Sequence, residues 1–471
     1  MIFEQHYLEC LSQASYVIGD TTTGRAVVVD PRRDIQPYLD TLAEHGLSLE
    51  LVLETHFHAD FLSGHLELAE ATGAAIGYSS VAETEFPSRK LADGERIPLG
   101  EVTLEIRHTP GHTPESISIV VYDHPGRTEP EPGAVPFGVL TGDTLFIGDV
   151  GRPDLLSSIG VSADDLANDL YDSLQQKLLT LPDATRVYPG HGAGSACGKN
   201  LSTETVSTIG EERTTNYALA PMSREQFIAA VTEGQPSAPA YFLYDALRNR
   251  EDHPIFHEAD APTALGLDKV VAWQRRGAAI VDTRDATDFS IGHLIGSVNV
   301  GLAGRYAEYV GGVIQPGAPI VLVTEPGTEI EARTRLARIG FDNVVGYLAD
   351  PLVTFADNPG DVARARRIDA TELAARLAAE PDLQVVDVRG RTEAETGMIP
   401  GAKLVPLPEL NRNLGLLDAS KPTVAYCAGG YRSSIGASRL RAAGFTDVSD
   451  LLGGYGAWAA RQTANLEESG V

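Results

Sequence analysis

The chain has 471 residues, which at about 150 residues per domain predicts about three domains. Hydrophobic residues make up 43% and charged residues 22%, so the composition excludes a disordered chain and a disulfide-stapled miniprotein. The formal net charge of −28 makes nucleic acid and anionic membranes poor partners, because their phosphates would be repelled. No leader peptide is visible and no apolar run reaches the roughly 18 residues that span a bilayer, so we expect a cytoplasmic protein.

The first 240 residues predict an α/β domain in which short apolar strands alternate with helices. Strand-like runs in chain order are SYVI, AVVVD, LVLET, VTLEI, ISIVVY, GVLTGD and RVYPGH, and helical stretches such as QPYLDTLAEHG lie between them. The Pro- and Gly-rich segment 124–138 predicts an excursion loop. Proline and acidic residues are also frequent in 235–263, so we expect a connector at 241–262.

Four predicted strand ends in this domain carry histidine or aspartate. The motif THFHADFLSGH contains His56, His58 and Asp60, which alternate and would project to one side of an extended strand end. Three later strand ends add one candidate each, namely His112 in TPGHTPES, Asp143 in LTGDTLF and His191 in VYPGHG. Imidazole and carboxylate groups are ligands of zinc, iron and manganese, so these loops predict a metal site over a sheet edge.

These motifs together resemble the metallo-β-lactamase superfamily over roughly residues 1–235. The stretches TGDTLFIGDVGRPDL and PGHGAGSACGKN are similar to the persulfide dioxygenase branch in particular. The resemblance implies an αββα sandwich and one Fe(II) per chain, held by His56, His112 and Asp143. The implied reaction is the oxidation of a low-molecular-weight thiol persulfide by O₂ to sulfite and the free thiol.

The same resemblance implies that His58, Asp60 and His191 orient ligands and waters, and it leaves open whether His58 binds the metal directly. One departure separates the chain from dinuclear hydrolases of the glyoxalase II type, which carry HxHxDH. Phe61 stands at the last position of that motif and cannot coordinate a second metal. Two alternatives remain, which are a zinc-dependent thioester hydrolase and a non-enzymatic carrier or sensor of sulfane sulfur.

Other polar residues near these motifs have two possible roles. Arg152, in GRPDL, either contacts a carboxylate of the thiol carrier and so binds substrate, or pairs with Asp154 to fix its own loop. The chain has three cysteines, a sparse and odd set that indicates a reducing compartment. Of these, Cys10 and Cys197 are predicted to be structural rather than nucleophilic.

The remainder of the chain contains an internal repeat. Residues 278–300 align with 383–405, and an Asp-x-Arg motif recurs in both, as Asp282 with Arg284 and as Asp387 with Arg389. Each copy follows the order strand, turn, strand, loop and helix, which predicts two homologous α/β domains with parallel sheets. We place these domains at 263–357 and 366–467, after a first domain at 1–240.

In the second copy, the strand TVAY leads into CAGGYRSS and then into a helix expected to start near Ile435. Cys427 would lie among backbone N–H groups at a helix N-terminus, which favours the thiolate. This pattern resembles the rhodanese family, which implies that Cys427 accepts sulfane sulfur. The remaining residues assigned to this site are Arg432 as a catalytic anion contact and Gly429, Gly430 and Tyr431 as substrate-binding residues.

In the first copy Thr324 stands near the position of the catalytic cysteine, beside Glu325, Glu329 and Glu331. This copy is therefore predicted to be silent in sulfur transfer and to serve as a spacer, a docking platform or a homo-oligomer surface. We expect a fusion enzyme whose small-molecule partners are persulfide, thiosulfate, sulfite and O₂. The sequence leaves open the direction of the transfer step and the identity of the thiol carrier.

Overall fold

A computed structural model describes the backbone of residues 1–469 and the side chains of residues 1–464. By its internal contacts the chain forms two compact units. The first unit consists of Met1–Ala238 and Phe242–His257. The second unit consists of Pro239–Tyr241 and the described residues from Glu258 onward.

The first unit contains two six-stranded sheets, in the strand orders β1-β2-β3-β4-β5-β6 and β12-β11-β10-β9-β8-β7. The strands of the first sheet are β1 Ile2–Leu8, β2 Gln13–Asp20, β3 Arg25–Val29, β4 Ser48–Leu53, β5 Ala75–Ser79 and β6 Arg89–Leu91. The strands of the second sheet are β7 Arg96–Pro98, β8 Val102–His108, β9 Ile117–Asp123, β10 Gly138–Gly142, β11 Arg186–Pro189 and β12 Ser207–Thr208.

Helices cover the outer faces of both sheets, which produces an αββα sandwich. They are α1 Gln36–Glu44, α2 His65–Thr72, α3 Ala163–Ser173, α4 Ile209–Thr215, α5 Arg224–Thr232 and α6 Phe242–Arg248. Alternation along the strands explains this packing. Tyr16 and Ile18 pack into the core between the two sheets, whereas Val17 packs with Tyr38 and Leu42 of α1. The superfamily fold implied by the sequence is confirmed.

The segment expected to be a connector is largely part of the first unit. Residues 242–257 contain α6 and the loop after it, and both pack with the first domain. Buried polar contacts hold the loop in place. Asn249 accepts a hydrogen bond from the Ser63 backbone N–H at 2.9 Å, and Arg33 donates to the Pro254 carbonyl at 3.0 Å. The expected connector at 241–262 is therefore wrong over most of its length. Its proline-rich, acidic composition suggested a linker, but Asn249 and Pro254 form hydrogen bonds with the first domain.

The second unit contains two five-stranded parallel sheets, in the orders β13-β18-β17-β14-β16 and β20-β24-β23-β21-β22. The first of them is built from β13 Ala264–Leu265, β14 Ala279–Asp282, β16 Val298–Asn299, β17 Ile320–Val323 and β18 Val344–Leu348. The second is built from β20 Arg366–Ile368, β21 Gln384–Asp387, β22 Lys403–Leu404, β23 Thr423–Tyr426 and β24 Val448–Leu451. A small antiparallel pair joins β15 His293–Leu294 to β19 Val362–Ala363.

The two sheets have the same strand order, as the internal repeat requires. Their helices are α7 Leu267–Arg275, α8 Ala286–Ile291, α9 Tyr306–Val313, α10 Glu329–Ala337, α11 Pro351–Asp357, α12 Ala370–Ala379, α13 Arg391–Glu395, α14 Leu410–Asn413, α15 Tyr431–Ala442 and α16 Gly454–Ser469. The register also matches: Asp282 pairs with Val323 in the first sheet, and Asp387 pairs with Tyr426 in the second. The fold prediction of two rhodanese-like α/β domains with parallel sheets is confirmed.

Candidate metal centre and thiol site

The candidate metal residues converge because the strands that precede them end at one edge of the sandwich. In the second sheet, β8 and β10 both run antiparallel to β9, and β11 runs parallel to β10. The carboxyl ends of β8, β10 and β11 therefore lie together, followed by His112, Asp143 and His191 respectively. His56 enters from the other sheet, in the loop that follows β4.

His56, His112 and Asp143 form a buried group whose ligand atoms all lie within 4.8 Å of one another. The Asp143 Oδ2 atom is 3.5 Å from His112 Nε2 and 3.9 Å from His56 Nε2. None of these three atoms has a hydrogen-bond partner among the described residues. Because buried polar atoms are normally satisfied, three orphaned atoms that face one point fit a metal ion. Two imidazoles and one carboxylate are a donor set suited to non-haem iron.

The other ring nitrogen of each histidine is held by a hydrogen bond that fixes the tautomer. His112 Nδ1 donates to the Arg152 carbonyl at 2.9 Å, and His56 Nδ1 lies 2.9 Å from Thr55 Oγ1. The Thr55 hydroxyl donates to Asp30 at 2.8 Å, so its oxygen is left to accept from His56. Both Nε2 atoms therefore carry a lone pair toward the candidate metal position. Burial also lowers the pKa of His56 and of His112, which favours the neutral, ligating form.

His191 forms ion pairs with two carboxylates of the site. Its Nδ1 lies 2.8 Å from Asp143 Oδ1 and its Nε2 lies 2.7 Å from Asp60 Oδ2. Burial opposes a charge on His191, but the two carboxylates outweigh it and raise its pKa well above the usual value. Burial likewise opposes ionisation of Asp143, but His191 outweighs it and lowers the pKa of this carboxyl group.

The imidazole of His58 contacts a different set of residues from the imidazole of His56. Its Nε2 lies 3.1 Å from Asp30 and 3.4 Å from Glu54, and it forms a buried group with these acids. Burial alone would lower the pKa of His58, but the two carboxylates raise it to about 10. The expectation that His56, His58 and Asp60 project to one side of a strand end is wrong, because β4 ends at Leu53 and the motif lies in a loop.

The thiol of Cys427 lies at the tight turn between β23 and α15. The Gly430 backbone N–H donates to Sγ at 3.1 Å, and Gly430 adopts a φ of +107°. The helix begins at Tyr431 rather than near Ile435, so only three residues separate it from Cys427 and the helix dipole is closer to the sulfur than expected. Cys427 itself is 2% exposed.

Arg432, Tyr431 and the glycines of the predicted thiol site flank this turn. Arg432 forms a bidentate ion pair with Glu393, with both N–O distances at 2.6 Å. In the first repeat the strand register puts Thr324 directly after β17, as Cys427 directly follows β23. Thr324 is buried, and the predicted sulfur-transfer position of that repeat therefore holds a hydroxyl.

Comparisons with known proteins identify both kinds of domain. The metallo-beta-lactamase superfamily model matches residues 8–126, and the rhodanese-like domain model matches residues 267–354 and 369–461. The mitochondrial persulfide dioxygenase ETHE1 of Homo sapiens is 32% identical over 218 residues, covering 45% of this chain and 74% of the relative. The chain belongs to the persulfide dioxygenase family.

Members of related families are also similar. A hydroxyacylglutathione hydrolase of Methylobacillus flagellatus is 33% identical over 193 residues, covering 41% of this chain and 64% of that protein. A solved metallo-beta-lactamase structure from Staphylococcus aureus has a TM-score of 0.65 and 31% identity, covering 74% of this chain and 98% of that one. In this persulfide dioxygenase family member, two rhodanese-like domains follow the superfamily domain.

Phe61 is the residue at which the sequence departs from the HxHxDH motif. Its ring is buried, 4.2 Å from the His58 ring and 6.4 Å from the His191 ring between centroids. Sequence reasoning missed Asn249, which positions this loop. Its side-chain amide donates to the carbonyls of His58 and Phe61 at 2.8 and 2.9 Å. No motif marks Asn249, because its partners are about 190 positions earlier in the chain.

Cys197 lies close to two polar residues of the candidate metal centre. It is buried and forms a possible metal-binding group with Asp60 and His191. Burial, followed by the neighbouring Asp60 and Asp143 carboxylates, raises the pKa of Cys197 well above the usual value. The thiol is therefore held in its protonated form, in line with the predicted structural role.

Within the described part of the chain, no helix is both long and apolar enough to cross a membrane.

Arg152 is held by its own domain. Its guanidinium forms a bidentate pair with Asp154, with both distances at 2.7 Å, and it donates to the carbonyls of Ala196 and Pro236 at 3.2 and 2.7 Å. The side chain is 3% exposed. This geometry favours the structural alternative for Arg152 over contact with the thiol carrier.

We expect Arg152→Ala to lower the free energy of unfolding by about 2–4 kcal/mol, because it removes a buried guanidinium that pairs with Asp154 and donates to two partly buried carbonyls. Urea unfolding checks this value. Arg25→Ala is the matched control and should cost no more than about 1 kcal/mol, since its pair with Glu50 is exposed. Unchanged stability with a raised KM for the persulfide would instead assign Arg152 to carrier binding.

Proposed function

We propose that the first domain is a non-haem iron persulfide dioxygenase and that Cys427 transfers sulfane sulfur. The observation that supports the first part is the set of three orphaned ligand atoms on His56, His112 and Asp143. When bound there, Fe(II) would supply the redox chemistry between O₂ and a persulfide sulfur, at coordination positions that two histidines and one carboxylate leave open. The net reaction is one persulfide, one O₂ and one water giving one thiol and one sulfite.

The protein's part in this reaction is to hold the ligands and a proton. Thr55 and the Arg152 carbonyl keep both ligating imidazoles in the tautomer that offers Nε2. His191 bridges Asp143 and Asp60 and so orients the Asp143 carboxylate, and it can hold a proton at Nε2 toward Asp60. Phe61, whose ring packs beside His58, has no nitrogen to serve as the ligand that a dinuclear hydrolase needs at this position.

The second part of the proposal rests on the geometry at Cys427. The backbone N–H of Gly430 lies 3.1 Å from Sγ, and α15 begins within four residues of it. A backbone donor and a helix N-terminus both stabilise negative charge on the sulfur. The thiolate would take a sulfane sulfur and pass it to a thiol or to sulfite, in the second case giving thiosulfate.

Oxygen-electrode traces with glutathione persulfide, after anaerobic determination of the metal content, test the dioxygenase. We expect about one iron per chain and O₂ uptake that depends on the persulfide. The similarity to a hydroxyacylglutathione hydrolase makes S-lactoylglutathione the proper counter-substrate. Two zinc ions per chain with rapid thioester hydrolysis, and no O₂ uptake, would establish the hydrolase instead.

A further inference from the structure

Residues of both repeats lie next to the Cys427 site. Tyr431, next to the thiol turn, donates its hydroxyl to the carbonyls of Gly301 and Ala303 in the first repeat, at 2.6 and 3.1 Å. Its ring lies 5.5 Å from the ring of Tyr309, which is also in the first repeat. The copy without a cysteine therefore supplies an aromatic wall beside the thiol site of the other copy.

This wall is firmly fixed. Arg335 donates to the carbonyls of Leu302 and Gly304, which alternate with the two carbonyls that bind Tyr431. All four successive carbonyls of the loop 301–304 are therefore occupied. An Asn299–Ser434 hydrogen bond of 3.1 Å joins the two repeats close by. Because these four carbonyls all accept hydrogen bonds, the contact between the two repeats is specific.

The three arginines that interact with these tyrosines each lie next to a carboxylate. Arg432, which lies near Tyr309, is neutralised by Glu393 through two 2.6 Å contacts. In the first repeat, Arg305 pairs with Glu308 at 2.6 Å, and Arg335 lies 3.5 Å from the Glu331 carboxylate. A compact dianion such as thiosulfate therefore meets little net positive charge. Burial raises the pKa of Tyr309, so this phenol is neutral as well.

We propose that the Cys427 site takes sulfur from an organic thiol persulfide in preference to thiosulfate, and that Glu393 is the residue that sets this preference. The inference rests on the proposed sulfur transfer at Cys427. The body of the thiol carrier would lie along the rings of Tyr309 and Tyr431, where apolar and amide groups gain contact without needing a free cation. Glu393 acts through Arg432, so it is a positioning residue.

The transfer step is balanced without an external oxidant. The Cys427 thiolate attacks the outer sulfur of R–S–SH, the S–S bond of the donor breaks, and a new S–S bond forms on Cys427. The electron pair of the broken bond leaves with the carrier as R–S⁻. The products are the Cys427 persulfide and the carrier thiolate, and the proton stays on the transferred sulfur.

The test is the rate at which each donor persulfidates Cys427 in the full chain, without O₂ so that the dioxygenase cannot consume the persulfide. Peptide mass spectrometry separates Cys427 from Cys10 and Cys197 by the mass gain of one sulfur atom. We expect glutathione persulfide to react at least about tenfold faster than thiosulfate in the wild type. Glu393→Gln should raise the thiosulfate rate about tenfold, because Arg432 is then an unpaired cation, and should change the persulfide rate by less than about twofold.

Two readouts distinguish this charge effect from a structural one. The thiosulfate rate of Glu393→Gln should fall steeply with added salt, whereas the wild-type rate should not. Gln can still accept the Gly390 N–H that Glu393 binds at 3.0 Å, so the start of α13 is kept. Glu395→Gln is the matched control, because it removes the same charge from an exposed position on that helix.

A thiosulfate rate that Glu393→Gln leaves unchanged would overturn the inference, as would a wild-type chain that prefers thiosulfate. In both cases Cys427 would still accept sulfur, and the proposed function would stand. Failure of both donors to persulfidate Cys427 would overturn the proposed transfer itself, and this inference with it. Tyr309→Ala adds an independent check, since it should slow the persulfide reaction severalfold and leave the thiosulfate reaction unchanged.

Discussion

Persulfide-dependent O₂ uptake should fall by more than about 100-fold in His56→Ala, and the iron content should fall with it. The substitution removes one of the three ligand atoms that lie within 4.8 Å of one another, and Phe61 leaves no histidine at the next motif position to replace it. Iron content is measured anaerobically by elemental analysis, and activity with an oxygen electrode and glutathione persulfide. Sulfur transfer by Cys427 should continue at the wild-type rate.

A matched control is His45→Ala in the same domain. His45 lies 2.6 Å from Glu4 in a partly exposed pair, so its loss should cost at most about 1 kcal/mol and no activity. Thermal unfolding of both variants shows whether the His56 variant has kept its fold. A wild-type chain without O₂ uptake would support the carrier or sensor alternative, and an active His56→Ala variant would remove this histidine from the metal site.

The same site shows how much of its geometry the sequence predicts. His112, Asp143 and His191 each follow a strand, and parallel strand directions bring such residues to one edge. The motifs were therefore sufficient to predict that these residues lie near one another, whereas the choice of His56, His112 and Asp143 as ligands came from the family resemblance. His58 was less predictable, because its contacts depend on Asp30, in the loop after β3, as well as on Glu54 at the start of its own loop.

The two repeats also combine features that the sequence predicts with features that it does not. Their strand order and the position of Thr324 follow from aligning one copy with the other, because both copies use one pattern of buried strands. The pairing of Arg432 with Glu393 does not follow from that alignment. It joins positions 39 residues apart, and a pattern of apolar residues contains no information on which carboxylate a partly buried arginine reaches. Asn249 was missed for the same reason.

We further expect Cys427→Ser to abolish sulfur transfer while leaving O₂ uptake within about twofold of the wild type. A serine hydroxyl cannot form the persulfide intermediate, and its oxygen is far less nucleophilic than a thiolate. Removal of one Sγ contact to Gly430 should leave the fold intact. Transfer is measured with glutathione persulfide as donor and sulfite as acceptor, by the thiosulfate formed. Cys10→Ser is the control, since Cys10 belongs to the first unit.

The products formed in the presence of O₂ then show whether the two activities work in sequence. If Cys427 passes sulfur to the sulfite made by the dioxygenase, the wild type should release thiosulfate and Cys427→Ser should release sulfite at the same rate of O₂ uptake. Joining both activities in one chain raises the effective concentration of sulfite at the thiol site. Loss of O₂ uptake together with transfer in Cys427→Ser would contradict independent active sites, because the variant changes no residue of the candidate metal site.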